Sequence, residues 1–215
     1  MADVRFRISI SLDGFTAGPN QSEEHPLGEG GEDLHDWVLS LAAWREAHGR
    51  EGGEVNPSTE AFEKQNRNVG AQVMGRNMFG GGPGPWPEDP PWEGWWGDEP
   101  PFHVPVFVLT HHEREPLTLG DTTYHFVTDG IETAIEAATK AAGEKDVLLA
   151  GGAETAQQAI AAGLVDEMHL SLVPILLGSG TRLLDGGVAE TVDSFEQVAV
   201  VEAPGVTHLT YRPRG

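Results

Sequence analysis

Val147-Leu-Leu-Ala-Gly-Gly-Ala-Glu-Thr-Ala156 sets a short apolar run, a double glycine and a helix-forming stretch in immediate succession. It reads as a strand, a turn of bare backbone and a helix N-terminus. Glycine lets a ligand approach the main chain closely, and the first helical turn offers free N–H groups and a positive end to an anion. The usual anion of this kind is a nucleotide phosphate, so the stretch points to a cofactor. The same residues also suit a plain tight turn with positive φ. The choice depends on whether other strand ends carry anion-binding groups.

Outward from this stretch, strands alternate with helices. Residues 4–12 alternate strictly, with Val4, Phe6, Ile8, Ile10 and Leu12 on one side and Arg5, Arg7, Ser9 and Ser11 on the other. Leu34, Trp37, Val38, Leu41 and Trp44 fall at helical spacing, which predicts one amphipathic helix over 33–48 capped by Asp33. A second helix starts at Ser58. Short apolar strands are predicted at 71–74, 104–109, 124–127 and 147–150, with helices over 131–142 and 153–162. Residues 167–173 alternate, with Met168, Leu170 and Leu172 on one face, and 195–202 and 206–212 read as a closing hairpin through Ala203-Pro-Gly205. The pattern is α/β, with helices on both faces of a mixed sheet. Residues 1–215 read as a single domain with a Gly/Pro/Trp-rich insertion at 80–101, where Trp86, Trp92, Trp95 and Trp96 suggest an aromatic flap or a cover over something.

Three further strand ends carry chemistry. Gly75-Arg76 follows the 71–74 strand, where a guanidinium beside a helix N-terminus makes a phosphate clamp; the bland alternative is a surface Arg. Thr110-His111-His112 follows the 104–109 strand and could hold a ribose phosphate, or be a solvated turn. No third ligand is spaced to make the two His a metal site. Asp13, beside Gly14, is a candidate substrate ligand or proton donor, or an Asx-turn residue. There is no G-x-G-x-x-G, no P-loop and no Gly-x-Ser-x-Gly elbow. Three phosphate-capable strand ends in one α/β sheet make a dinucleotide the economical ligand.

Charge narrows the partners. The 215 residues include 34 acidic and 13 basic ones, for a net charge of −21. Such a chain repels nucleic acid and anionic membranes, so a small molecule or a second copy is the expected partner, and any phosphate site must be built locally. There is no cysteine, which excludes thiolate chemistry. No run approaches a membrane span, and the expected location is cytoplasmic.

The motifs Ser11-Leu-Asp-Gly-Phe15, Val73-Met-Gly-Arg-Asn-Met-Phe79, Val106-Phe-Val-Leu-Thr110, Leu149-Ala-Gly-Gly-Ala153 and Leu164-Val-Asp-Glu-Met-His-Leu170, running into Pro174-Ile-Leu-Leu-Gly-Ser-Gly-Thr181, occur in one order over nearly the whole chain. In this the chain resembles the dihydrofolate reductase-like superfamily, in the branch of the C-terminal reductase domain of the riboflavin-biosynthesis bifunctional protein. The resemblance implies a three-layer fold with a central mixed sheet of about eight strands flanked by helices, and NADPH across the strand C-termini. It implies that Gly75, Arg76 and Asn77 form the phosphate-binding turn and that Thr110 and His111 lie near the adenosine 2′-phosphate. Gly151 and Gly152 match the pyrophosphate turn, often with a cis Gly-Gly peptide, and Glu154 and Thr155 open the next helix. Ala17 falls in the loop at the nicotinamide, and Asp13 where the riboflavin-type reductases place a substrate-facing Asp. The deaminase half of the bifunctional protein, with its zinc signature, is absent. The acidic residue that dihydrofolate reductases carry on the first helix has only Glu32, Asp33 and Asp36 as loose counterparts. The expected activity is hydride transfer from NADPH to a ribosylaminopyrimidine-like substrate. The alternatives are dihydrofolate or pteridine reduction, and a non-catalytic nucleotide- or drug-binding protein. Relatives in this branch commonly pair through strands such as 168–177, so a homodimer is expected.

Overall fold

The computed structural model describes residues 2–89, 91–185, 188 and 194–214. Its strands, in chain order, are β1 (Val4–Ser11), β2 (Phe15–Ala17), β3 (Val69–Gly75), β4 (Val106–Leu109), β5 (Leu117–Leu119), β6 (Thr122–Val127), β7 (Asp146–Gly151), β8 (Glu167–Val173), β9 (Thr181–Arg182), β10 (Phe195–Ala203) and β11 (Val206–Pro213). The helices are α1 (Asp36–Leu39), α2 (Ala42–Ala47), α3 (Pro57–Asn66), α4 (Arg76–Phe79), α5 (Ile131–Ala142) and α6 (Ala153–Ala161). Nine strands form a mixed sheet in the order β10-β11-β8-β1-β7-β3-β4-β6-β5, and β2 pairs with β9. The strands missed by periodicity are β2, β5 and β9, whose two or three residues are too few to show a repeat. The chain divides into two compact units, Met1–Phe6 with Asn68–Val165 and Arg7–Arg67 with Asp166–Gly215. Strand β1 contributes residues to each.

In the first unit β7, β3, β4 and β6 run parallel, and β5 returns antiparallel on β6. Strands covered on both faces read as continuous apolar runs, which is why these segments stood out. Helix α5 lies on β3, β4 and β7 and buries Ile131, Ala134, Ile135 and Ala138, the stripe its spacing predicts. Met74, Phe79, Val106, Val108 and Tyr124 form a fully buried cluster, and Trp86, Trp92, Trp96 and Phe102 pack against it. The indole N–H of Trp86 donates to the His112 carbonyl and that of Trp92 to the Phe79 carbonyl, each at 2.9 Å. Covering an indole in this way contributes on the order of 2 kcal/mol. Of the flap and the cover that its composition suggests, the Trp-rich segment is therefore the cover, the wall of this core.

In the second unit the helix predicted over 33–48 is broken. A 3-10 turn over Glu32–His35 leads into α1, and α2 begins only after Leu41, whose backbone is extended and bridges to Glu54. The cap position of that first turn is Gly31, not Asp33. Helix α3 starts where its sequence says. The Asn56 side chain accepts from the Ser58 N–H at 2.9 Å, the Thr59 hydroxyl accepts from the Asn56 N–H, and Pro57 opens the helix. β10 and β11 form the expected hairpin. β8 departs from simple alternation, because Glu167, His169 and Ser171 are buried along with Met168 and Leu170. β8 also lies inside the sheet, between β11 and β1, so it offers no free edge for the dimer contact expected of 168–177.

The buried polar face of β8 is satisfied by its neighbours. His208 on β11 shares hydrogen bonds with Ser58 of α3 at 2.8 Å and Ser171 at 3.0 Å, and the ring of Trp37 stands edge-on to it. His169 Nε2 lies 2.7 Å from Glu167, whose other oxygen accepts from Arg212 at 2.7 Å. Burial raises the Glu167 pKa, but the Arg212 hydrogen bond, with the charges of His169, Arg212 and Lys64, outweighs it and holds the carboxylate below its usual range. Burial, with the nearby His169, pushes His208 down from 6.5 to about 4. The unfolded chain then binds this proton at a higher pH than the native one. Stability from a neutral His208 is full above pH 6.5 and is lost as pH falls toward 4. Urea unfolding between pH 7 and 4 is expected to show a loss of up to about 3 kcal/mol from this residue. The slope should flatten in His208→Gln, and an unchanged slope would remove His208 as its source.

Candidate functional site

The first unit gathers most of the residues singled out by sequence. β7 ends at Gly151, the Gly151–Gly152 peptide bond is cis as the resemblance implies, and α6 begins at Ala153 with Gly152 as its cap and no side chain over it. A Cβ at Gly152 would meet nothing within 4 Å, so the turn opens onto free space. β3 ends beside it. A Cβ at Gly75 would come within 2.5 Å of the Thr155 hydroxyl, and Met78 Sδ lies 3.5 Å from where a Gly151 Cβ would stand. Gly75, Gly151, Gly152 and Thr155 are thus neighbours, with Gly151 and Thr155 buried and Gly75 and Gly152 half-buried. Glu154 and Asn77 are exposed at their margin.

Arg76 opens α4, but its guanidinium is already committed. Nε donates to the Gly80 carbonyl at 3.1 Å, Nη2 to Gly81 at 3.1 Å and Nη1 to the Thr110 hydroxyl at 3.4 Å, while the group lies 3.2 Å from the centroid of Trp86. Burial, then the nearby Arg114, lowers its pKa. The glycines at 80 and 81 make this possible: both have positive φ, and a Cβ on either would strike Trp92. Thr110 is buried and also accepts from the His112 N–H at 3.2 Å. His111 is exposed. Arg76 and Thr110 are therefore brought together, on a guanidinium whose three nitrogens each already donate within the protein. Sequence reasoning missed Arg114 and the role of Trp86. The signal available was an Arg two residues beyond His112, between two Glu. Among the described residues no group of three or more His, Asp or Glu could hold a metal ion, and no helix is long and apolar enough to cross a membrane.

Asp13 and Ala17 belong to the second unit. Ala17 lies in β2, buried and paired with Thr181 of β9. The carboxylate of Asp13 accepts from the Ser11 hydroxyl at 2.6 Å, the Leu177 N–H at 3.1 Å and the Gly178 N–H at 2.7 Å. Its own carbonyl accepts from Arg182, whose guanidinium lies over Phe15. The Ser11 hydrogen bond leads in lowering its pKa to about 2, and the two backbone donors add to it. A carboxylate held ionised by three donors is a poor proton source at neutral pH. Through two of these bonds Asp13 anchors the backbone of residues 177–178. Asp13→Ala should speed amide hydrogen exchange at Leu177 and Gly178. In the native protein the anchor is full above about pH 4 and lost as pH falls toward 2. Unchanged exchange at both amides would show that the carboxylate holds nothing.

Comparison with known proteins bears on what this arrangement is. A protein of Shewanella sp. PV-4 ascribed to riboflavin biosynthesis is 25% identical, with all of each chain covered and a TM-score of 0.59. The dihydrofolate reductase of Enterococcus faecalis, solved with NADP(H) and RAB-propyl, shares the fold at 14% identity and TM-score 0.54, over 99% of this chain and 97% of that one. The deaminase/5-amino-6-(5-phosphoribosylamino)uracil reductase of Thermotoga maritima is 14% identical with a TM-score of 0.58; 99% of this chain is covered, and it spans 57% of that one. No protein of curated function matches the chain. The family model of the RibD C-terminal domain matches residues 2–203, and the chain belongs to that family.

Proposed function

We propose that this protein is an NADPH-dependent reductase acting on the C=N bond, or the opened sugar imine, of a small ribosylaminopyrimidine-like molecule. The observation that carries the reading is the meeting of Gly75, Gly151, Gly152 and Thr155 at the uncapped start of α6. Such a turn suits a pyrophosphate, which takes backbone N–H groups and the positive helix end without needing basic side chains. In a chain of net charge −21 that economy matters. Glu154 and Asn77 border the turn, and Thr110, His111 and Arg76 stand at the neighbouring strand end as candidate ligands of a further phosphate. When bound, the cofactor supplies the hydride. Ala17 is the candidate neighbour of the nicotinamide, and Asp13 shapes the substrate loop through residues 177–178. With Asp13 held as an anion, water is the proton source. We place the protein in the cytoplasm and expect it to act as a homodimer, which light scattering tests.

Folate reduction fits less well, because Glu32, Asp33 and Asp36 are all exposed where that chemistry needs a sequestered carboxyl group beside its pterin. A non-catalytic binder would keep nucleotide affinity and lose turnover. Tryptophan fluorescence titrated with NADPH, followed by NADPH oxidation with the ribosylaminopyrimidine and with dihydrofolate, separates the three. Quenching by NADPH and oxidation with the pyrimidine are expected. Thr155→Val should weaken NADPH binding, and no quenching in the wild-type protein overturns the reading.

A further inference from the structure

We propose that Met78 is a site of reversible oxidation by peroxide, and that its sulfoxide closes the Gly151–Gly152 turn to an anion. The proposal rests on the reductase reading given above and adds regulation to its cofactor turn.

The chain has no cysteine, so its four methionines hold all of its sulfur. Met74 and Met168 are buried, at 0% and 1% exposure, and Met1 lies outside the described residues. Met78 is half-buried on α4, between the exposed Asn77 and the buried Phe79. Its side chain packs against the Met74–Tyr124 cluster. Its sulfur lies 3.5 Å from where a Cβ on Gly151 would stand, and among the described residues no other heavy atom beyond the adjoining ones comes within 4 Å of that point. The thioether therefore walls the turn at Gly151, while the side of Gly152 is open. Oxidation follows exposure, so an oxidant entering the open turn meets this sulfur before those of the two buried methionines.

The second observation is what stands beside that sulfur. α6 starts at Gly152 with no side chain over it, so its first N–H groups and its positive end are free for an anion. A thioether sulfur is apolar and a weak acceptor, and it leaves those donors to the ligand. Oxidation reverses this. A sulfur lone pair attacks one oxygen of hydrogen peroxide and the O–O bond breaks. The S–O bond forms, the other oxygen leaves as water, and the sulfur is oxidised as the peroxide is reduced. The new oxygen carries partial negative charge and accepts hydrogen bonds. It competes with a pyrophosphate for the N–H groups of the turn and repels it. Methionine sulfoxide reductases return the thioether, so the block is reversible. Oxidation thus stops the protein drawing on NADPH while peroxide is present.

The test treats the wild-type protein with dilute hydrogen peroxide, maps each methionine by mass spectrometry and titrates NADPH by calorimetry before and after. Met78 is expected to gain one oxygen while Met74 and Met168 stay reduced. NADPH affinity should fall about tenfold or more, the scale of one charge-assisted hydrogen bond, and return after treatment with methionine sulfoxide reductases of both stereospecificities. Met78→Leu, compared with itself before and after peroxide, should lose nothing. Met78→Gln, which sets a polar acceptor there without oxidation, should bind as weakly as the oxidised protein. Oxidation of Met74 or Met168 as fast as Met78, unchanged affinity with Met78 oxidised, or an equal loss in Met78→Leu overturns the proposal and leaves the reductase reading standing. If the untreated protein does not bind NADPH, the reductase reading fails and inorganic pyrophosphate decides the proposal. Pyrophosphate must then raise the melting temperature of the untreated protein over chloride of equal ionic strength, and not that of the oxidised protein. No such difference rejects the closure as well.

Discussion

A side chain at position 75 would drive its Cβ to 2.5 Å from the Thr155 hydroxyl, so the end of β3 and the first turn of α6 can meet in this way only through glycine. That approach fixes where β3 stops, and Arg76 begins α4 at the next residue. It also leaves the Gly151–Gly152 turn bare on the side that faces open space. The order Val-Met-Gly-Arg is therefore a geometric instruction. The strand ends at a residue without a side chain, and the guanidinium follows one position later.

The electrostatics of the glycine turn differ from those of the acidic chain as a whole. The glycine turn needs no cationic side chain, since N–H groups and the helix end supply the positive potential locally. Arg76 and Arg114 stand against aromatic rings. Trp86 takes the face of Arg76, and Phe79 and Phe126 flank Arg114. The Gly80 and Gly81 carbonyls hold the Arg76 fork in place without neutralising it. The Trp-rich segment thus has two roles in the first unit: it closes the Met74–Tyr124 cluster and, through Trp86, it supplies a ring face to Arg76 and Arg114.

Much of this was legible in the sequence, and the rest was hidden for physical reasons. α5, β7, β8 and the final hairpin follow from periodicity and punctuation, because one strong signal governs each. The helix over 33–48 failed because spacing alone cannot see that Leu41 is pulled out to bridge Glu54. β1 alternates as read, yet its polar side is not solvent: Arg5 pairs with Asp146, Arg7 donates to Asn66 and Ser9 accepts from Trp37. Those partners lie 28 to 141 residues away in sequence, and no local pattern announces them. The glycines and Arg76 were found because their chemistry is written in adjacent residues. Arg114 was not, because its meaning comes from three rings on distant segments.

Asp13 shows the same limit from the other side. A carboxylate at a strand end beside glycine is equally compatible with an acid, a ligand and a turn anchor. The donors that decide among them, the Leu177 and Gly178 N–H groups, stand more than 160 residues downstream. Three hydrogen bonds to the ionised form lower its proton affinity, which is the opposite of what a general acid at neutral pH needs. The same bonds fix the loop that leads into β9, where Thr181 pairs with Ala17. The hydrogen-bond partners of Asp13 show which backbone it holds, that of Leu177 and Gly178.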